Sequence, residues 1–262
     1  MKGKEFMKII NDFVKYKYLL YELVKKDIKL KYRRSYLGIV WTLLEPILTT
    51  LVLNFIFTNL YTNKDDNFVV YILAGRLMYS FFSGATKAAM RSIRVNGAMI
   101  KKVYVPKYIY PLAAVLSNFI IFALSLLVLV AACVIKRIPL TFYTIEAIIP
   151  IFILLVLCLG VGLFLGSFAV KFRDLEYLWD VALMLIMYSC AIFYQVEKMG
   201  NAVNIIKFNP LYTIITNFRN LVIYGTQMNT HYLMYSAGIS VIALAIGSYA
   251  FAKQQDKFIL YI

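Results

Sequence analysis

Long apolar segments, separated by short polar and basic stretches, run through most of the chain. Six of these segments are about 20 to 28 residues long, which is enough for a helix to cross a hydrocarbon core of about 30 Å. The predicted spans are residues 37–61, 68–90, 108–135, 145–170, 177–196 and 231–251. The pattern therefore predicts an all-α integral membrane protein with six transmembrane helices.

Residues 5–32 repeat with the 3.6-residue period of an α-helix and separate a basic face from an apolar face. The basic face contains Lys8, Lys15, Lys25, Lys26 and Lys29, and the apolar face contains Ile9, Phe13, Leu20, Leu23, Val24 and Ile28. Such a helix is typical of a membrane interface. We predict a cytoplasmic amphipathic interface helix over residues 1–35. Packing against the protein's own cytoplasmic surface is the alternative, and the two are compatible.

The segment 197–230 does not fit a simple outer loop. It is too apolar for water, its apolar runs are too short to cross a bilayer, and Asn209-Pro210 interrupts it. Two short helices that enter the outer leaflet and return would satisfy these facts, provided that protein or a wet cavity covers the bend. We predict a re-entrant helical hairpin before the last span. A helix pair lying flat on the outer surface is the alternative.

The distribution of charged residues also predicts how the spans are oriented in the membrane. The chain is 62% hydrophobic, has a mean hydropathy of +0.74 and carries a net charge of +15, yet only 16% of its residues are charged. Of the 28 Lys and Arg residues, 21 fall on one side of the predicted spans and six on the other. The positive-inside rule then places both termini in the cytoplasm. The basic residues lie between spans, so we expect membrane lipid, and no nucleic acid, as their partner.

The sequence lacks the residues of several common chemistries. It has no G-x-x-x-x-G-K-[ST] phosphate loop, and His231 is its only histidine. The three cysteines, Cys133, Cys158 and Cys190, lie inside predicted spans without metal-like spacing, so we interpret them as apolar packing residues and expect no metal site. The six-span core therefore has no energy source of its own. A transport subunit fits this better than the alternative of a membrane glycan-modifying enzyme.

Several segments resemble a known family when taken in order. They are residues 27–41, the triplet Leu44-Glu45-Pro46, and residues 96–106, 172–175 and 208–211. Together they are similar to the permease subunits of ABC-2 type polysaccharide and polyol-phosphate exporters, which transport O-antigen and teichoic acid. The resemblance covers nearly the whole chain. It implies that residues 36–262 form an ABC-2 type transmembrane domain.

This resemblance also implies partners. The permease would be a homodimer in the cytoplasmic membrane, paired with two copies of a separate ATP-binding cassette ATPase that holds ATP and Mg. The substrate would be a glycan or teichoic acid on a polyprenyl diphosphate lipid. An ABC-2 permease for another amphiphile, such as a drug or a glycolipid, is the alternative within transport.

A coupling role for the segment between the second and third spans is likewise implied by the resemblance. That segment would dock in the ATPase, with Met99, Ile100 and Val103 as apolar anchors and Lys101 and Lys102 at the rim. Arg94 and Asn96 belong to the same segment. Arg173 and Asp174 would form a smaller second contact.

Candidates for a substrate path are less sharply defined. Aromatic rings stack on sugar faces, so Trp41, Tyr79, Phe81 and Phe82 are candidates, although aromatic side chains also fill helix interfaces. Glu45 and Arg76 each lie eight residues into a span, about 12 Å deep. Because a lone charge near mid-bilayer is costly, we expect these two to pair or to line the path together. Alternatively, Arg76 reaches outward and Glu45 faces water.

Overall fold

The computed structural model describes residues 2–33, 35–60, 67–103, 105–139, 141–194 and 206–261. All regular secondary structure in these ranges is helical. The prediction of an all-α protein is confirmed at this level. The helices, in chain order, are α1 (Lys2–Tyr32), α2 (Trp41–Leu60), α3 (Phe68–Val95), α4 (Gly97–Ile100), α5 (Ile109–Ile135), α6 (Tyr143–Glu146), α7 (Ile148–Ala169), α8 (Leu175–Ser189), α9 (Pro210–Val222) and α10 (Thr230–Gln254).

Five segments of the described chain are long and apolar enough to cross a membrane. They are Gly38–Ile56, Phe68–Val95, Ile109–Ile135, Tyr143–Ala169 and Thr230–Phe258. Each of them overlaps one of the predicted spans.

The predicted span 177–196 does not form one continuous crossing helix in the described residues. Its helix, α8, ends at Ser189, and its 15 residues extend only about 22 Å. The backbone then turns, because Ala191 adopts a left-handed conformation with φ of 48°. The last two residues of this predicted span, 195 and 196, and the first nine residues of the predicted hairpin, 197–205, lie outside the described residues.

Helix α3 lies at the centre of the bundle and packs against α2, α5, α7, α8 and α9. Its buried residues include Ile72, Met78, Met90 and Ile93, none of which has measurable exposure. Helix α2, by contrast, exposes a broad apolar side that includes Leu51, Val52 and Phe55. The fold therefore consists of a central helix surrounded by helices whose outer sides suit lipid.

The α7–α10 contact is the most extensive in the bundle, and glycines permit it. A Cβ on Gly247 would lie 2.1 Å from the carbonyl oxygen of Gly160, and a Cβ on Gly160 would lie 2.4 Å from the backbone nitrogen of Leu244. Small residues let helices approach closely in membranes, where packing replaces the hydrophobic effect as the cause of association.

Helix α1 packs on the protein's own surface, beside the end of α3 and the start of α5. Its apolar residues Leu23 and Val24 are buried in one cluster with Ile93, Ile100 and Phe258. The Nζ of Lys26 also donates a hydrogen bond of 2.8 Å to Oδ1 of Asn96. The apolar face of α1 therefore packs against the protein's own surface. The location of α1 in the membrane interface stays a prediction.

We expect Gly247→Ala to destabilise the protein, because the new methyl group meets backbone that cannot rotate away. Overpacking of this kind costs about 1–3 kcal/mol. Gly238→Ala is the matched control in the same helix, since no atom lies within 4 Å of the position that a Cβ would take there. Thermal unfolding of the purified protein in detergent measures both variants. Equal midpoints for Gly247→Ala and Gly238→Ala would contradict the close approach of α7 and α10.

Candidate functional site

The segment that follows α3 presents only part of the predicted coupling set to solvent. Lys101, Lys102 and Val103 are exposed, and Met99 is half-buried. Ile100 is 8% exposed and faces the apolar cluster that holds α1 and α5, so it anchors this segment to its own protein. Of the three predicted apolar anchors, Val103 is therefore the one that is exposed to a partner, and Val95 at the end of α3 is also exposed.

Asn96 holds the same segment from inside. It is buried, its Nδ2 donates to the carbonyl oxygen of Ser92 at 2.9 Å, and its Oδ1 accepts the bond from Lys26. The residue thus ties the end of α3 to α1. Its role in this structure is to position the coupling segment, which leaves docking to its exposed neighbours.

Ion pairs join the C-terminal turns of α3 to the N-terminal turns of α8. The Nζ of Lys87 lies 2.7 Å from Oδ1 of Asp180, and the Nε of Arg91 donates to Oε2 of Glu176 at 2.8 Å. The guanidinium of Arg94 also contacts Glu176. Arg94 therefore faces α8 rather than the docking surface. We call these five residues the α3–α8 ladder.

The sequence pattern had not singled out Glu176 and Asp180. The available signal was their spacing of four residues, which puts both acids on one face of a helix, opposite cations that recur at similar spacing near the end of α3. Arg173 and Asp174 lie just before α8 and are exposed. The ladder thus starts beside the predicted second contact and runs toward the membrane.

Polar contacts continue this interface into the bilayer. The indole Nε1 of Trp179 donates to Oγ1 of Thr86 at 3.1 Å, and the hydroxyl of Tyr79 donates to the carbonyl oxygen of Leu183 at 2.8 Å. Helices α3 and α8 are therefore joined by polar side chains both at the ladder and deeper along α3, at Thr86 and Tyr79.

The predicted path aromatics of α3 fill helix interfaces. Tyr79, Phe81 and Phe82 are all less than 10% exposed. Phe81 stacks on Phe122 of α5 with ring centroids 5.0 Å apart, and Phe82 lies 6.2 Å from the ring of Trp179. In this conformation these three rings are packing residues. Trp41, at the start of α2, is 42% exposed.

Glu45 and Arg76 line one cavity without pairing. Among the described residues no ion pair joins them. The cavity has a volume of about 70 Å³ and lies between the end of α1, the first turns of α2 and the middle of α3 and α5. Burial lowers the pKa of Lys31 at its edge, whereas the neighbouring carboxylate of Glu45 raises it. The structure thus brings Glu45 close to α1, and the predicted direct Glu45–Arg76 pair is absent.

Asn209 joins α9 to the end of α8. Its Oδ1 accepts the backbone N–H of Leu211, which caps α9 in the usual way for asparagine. Its Nδ2 donates to Oγ of Ser189 at 2.8 Å and to Sγ of Cys190 at 3.3 Å. Pro210 occupies the first position of α9, where a missing N–H costs nothing. The predicted break at Asn209-Pro210 is therefore the start of α9, and hydrogen bonds from Asn209 tie it to the end of α8.

Arg219, also on α9, holds the chain that follows α8. It is 2% exposed, and its guanidinium donates to the carbonyl oxygens of Tyr71, Ala191 and Ile192 at 3.2, 3.1 and 3.3 Å. It lies 3.5 Å from the centroid of the Tyr71 ring. Gly75 makes room, because a Cβ there would lie 2.2 Å from Nη2 of Arg219. In the sequence Arg219 counts only as an outer basic residue, and no motif marks it.

We expect Glu176→Gln to lower stability more than Asp180→Asn. Loss of the Glu176 charge leaves Arg91 and Arg94 side by side without their shared carboxylate, which we expect to cost about 1–2 kcal/mol. Asp180 and Lys87 are both well exposed, and such pairs contribute at most about 1 kcal/mol. Thermal unfolding in detergent compares the two variants. A larger loss for Asp180→Asn would contradict the ranking within the ladder.

Comparisons with known proteins agree with this geometry. The O-antigen export system permease protein RfbA of Myxococcus xanthus is 26% identical over 256 residues, which cover 96% of this chain and 98% of the relative. A protein with the same name from Klebsiella pneumoniae is 26% identical over 243 residues, covering 92% and 93%. The family model described as ABC-2 type transporter matches residues 18–223, which include α2, α3 and α9. The chain therefore belongs to the ABC-2 type transporter family.

Proposed function

We propose that this chain is the membrane subunit of an ABC exporter that carries a lipid-linked surface polysaccharide across the cytoplasmic membrane. The observation that carries the proposal is the similarity to O-antigen export permeases over nearly the entire length of both chains. Teichoic acid is a second polymer of the same substrate class. The polymer would be attached to a polyprenyl diphosphate lipid, and its translocation would be powered by a separate subunit.

That separate subunit would be an ATP-binding cassette ATPase that holds ATP and Mg. Its docking surface on this chain would be the exposed turn at Lys101, Lys102 and Val103, together with Arg173 and Asp174. An apolar anchor inside a polar rim is the usual arrangement of a protein interface. The α3–α8 ladder lies next to both parts of this surface, so a movement of the ATPase would reach α8 through ion pairs.

A homodimer is part of the proposal, and the exposed faces support it. Helix α8 leaves an apolar stripe uncovered at the spacing of a helix–helix contact. The stripe consists of Tyr177, Leu178, Val181, Met184, Leu185 and Tyr188. This stripe would face the second copy, and a path for the polymer would lie between the two copies.

The orientation rests on the distribution of basic residues, which would put both termini, α1 and the coupling segment in the cytoplasm. Helix α1 would lie in the membrane interface with its exposed lysines and Tyr18 and Tyr21 toward lipid headgroups. Helix α9 would be the inner limb of a re-entrant hairpin. In support, nearly all of its side chains are buried against the surrounding helices, unlike those of a helix lying flat on a surface.

The orientation predicts opposite labelling of two lysine positions. After Cys133, Cys158 and Cys190 are replaced by serine, Lys136→Cys should react with a membrane-impermeant maleimide added to intact cells. Lys102→Cys should react only after the membrane is opened. Both lysine side chains are exposed in this chain, and expression without the ATPase keeps Lys102 uncovered, so accessibility to the reagent then depends on sidedness. Labelling of Lys102→Cys from outside would reverse the proposed topology.

Export and docking can be tested in one system. In cells that make the polymer, removal of this chain should leave the polymer inside, and the wild-type chain should restore it at the surface. Val103→Asp should reduce copurification of the ATPase and surface polymer together, by about tenfold or more, because a charge replaces the apolar anchor. Surface polymer can be measured with a polymer-specific antibody on intact cells.

Thr226→Asp is the control for this experiment, since Thr226 is also exposed but lies beyond α9, on the predicted outer side. It should behave as wild type in both measurements. Normal surface polymer in cells without this chain would refute the proposed function. Full copurification of Val103→Asp would instead refute only the docking surface.

A further inference from the structure

Arg76 is a cation inside the membrane-spanning part of α3. It is half-buried, and within the described residues its guanidinium has neither an ion pair nor a hydrogen bond to another side chain or backbone group. A charge at this depth in a transmembrane helix is costly and marks a pathway or a binding site unless a protein partner compensates it. Arg76 faces the cavity that it shares with Glu45.

The other groups of this cavity show which ligand charge it favours. The hydroxyls of Thr42, Thr49 and Ser125 already donate to backbone carbonyl oxygens at 2.7, 2.7 and 3.0 Å. Ser80 lines the same cavity, and its hydroxyl makes no hydrogen bond in the described chain. Tyr32 also lines the cavity with a hydroxyl. The donors that stay available therefore include Arg76, Ser80 and the ammonium of Lys31 at the edge. Available donors outnumber the one carboxylate, so the cavity favours an anion.

Size and position restrict that anion further. Space of about 70 Å³ for water-sized groups is enough for several water molecules or one phosphate group. The cavity borders α2, whose neighbouring apolar residues Leu48, Leu51 and Val52 are exposed, as in a surface that suits lipid. A ligand with a phosphate in the cavity and a hydrocarbon chain along α2 would satisfy both surfaces.

We infer that Arg76, Ser80 and Lys31 form a binding site for the phosphate group of a membrane lipid. The naming of that lipid as the polyprenyl diphosphate carrier of the exported polymer rests on the proposed function. Arginine suits this role because its planar guanidinium donates two parallel hydrogen bonds to a phosphate. Lys31, at the end of α1, would meet the phosphate first, and Arg76 would hold it deeper between α2, α3 and α5.

Glu45 sets the strength of this site. Its carboxylate attracts Lys31 and would repel an incoming phosphate, so it weakens binding of the anion. A transport site must release its ligand, and a carboxylate beside two cations limits the affinity. Removal of the Glu45 carboxylate should therefore strengthen phosphate binding, and removal of the Arg76 cation should weaken it. A residue that only maintained the fold would not give this reversal of sign.

The test is equilibrium binding to the purified permease–ATPase complex in neutral detergent, without ATP. The probes are undecaprenyl diphosphate without glycan, undecaprenol, which lacks phosphate, and phosphatidylglycerol. We expect the diphosphate to bind at least tenfold more tightly than either of the others. Arg76→Gln should weaken diphosphate binding by about tenfold or more, as expected for a charge-assisted contact. Glu45→Gln should tighten it, and Lys136→Gln, an exposed cation outside the cavity, should leave it unchanged.

Different results would overturn different parts of the proposed lipid-phosphate site. Equal binding of undecaprenol and the diphosphate, or unchanged binding in both Arg76→Gln and Glu45→Gln, would overturn the site. Equally tight binding of phosphatidylglycerol would overturn its assignment to the carrier lipid. If Arg76→Gln does not yield folded complex, Arg76→Lys and Glu45→Gln carry the test. The assay needs neither glycan nor transport, so a failure of the proposed export function would leave its result intact.

Discussion

One end of this bundle depends on the interaction between Arg219 and the backbone that follows α8. A bilayer offers no water to carbonyl groups released by a broken helix, so protein must supply their donors. The Arg219 guanidinium provides three donors to Tyr71, Ala191 and Ile192 at once. Its charge is compensated by these carbonyl dipoles and by the ring of Tyr71. The helix break, the position of α9 and the need for Gly75 all follow from this contact.

Helix α3 links this contact to the opposite end of the bundle. Its first turns hold Tyr71 and Gly75 against Arg219, its middle carries Arg76, and its last turns carry the cations that pair with Glu176 and Asp180. Each end of α8 is therefore held by α3 directly or through α9. A force applied at the predicted coupling segment would act on a helix that also borders the proposed phosphate site and the break after α8. Under the proposed function, this arrangement would connect the ATPase to the substrate.

Much of this architecture could be predicted from the sequence because long apolar runs and helical periodicity report local preferences. Five spans, the amphipathic α1 and the break at Asn209-Pro210 were all visible in that way. The end of α8 could not be predicted in this way, because apolar residues continue through most of residues 177–196. The left-handed turn at Ala191 depends on the side chain of Arg219, which comes from α9. The burial of individual side chains could not be predicted from the sequence either. Ile100 and Phe81 look like exposed anchor and path residues until the helices that cover them are placed.

The planar guanidinium at position 219 donates hydrogen bonds to the carbonyl oxygens exposed where the helix is broken. No other cationic side chain has the same geometry. Arg219→Lys keeps the charge but offers a single ammonium, which cannot reach three carbonyl oxygens spread over two helix ends. Thermal unfolding of the purified protein in detergent measures the consequence. We predict that Arg219→Lys loses at least about 2 kcal/mol of stability, because hydrogen bonds to charged groups contribute about 1.5–3 kcal/mol each. An unfolding midpoint for Arg219→Lys equal to that of the wild type would contradict this role for Arg219.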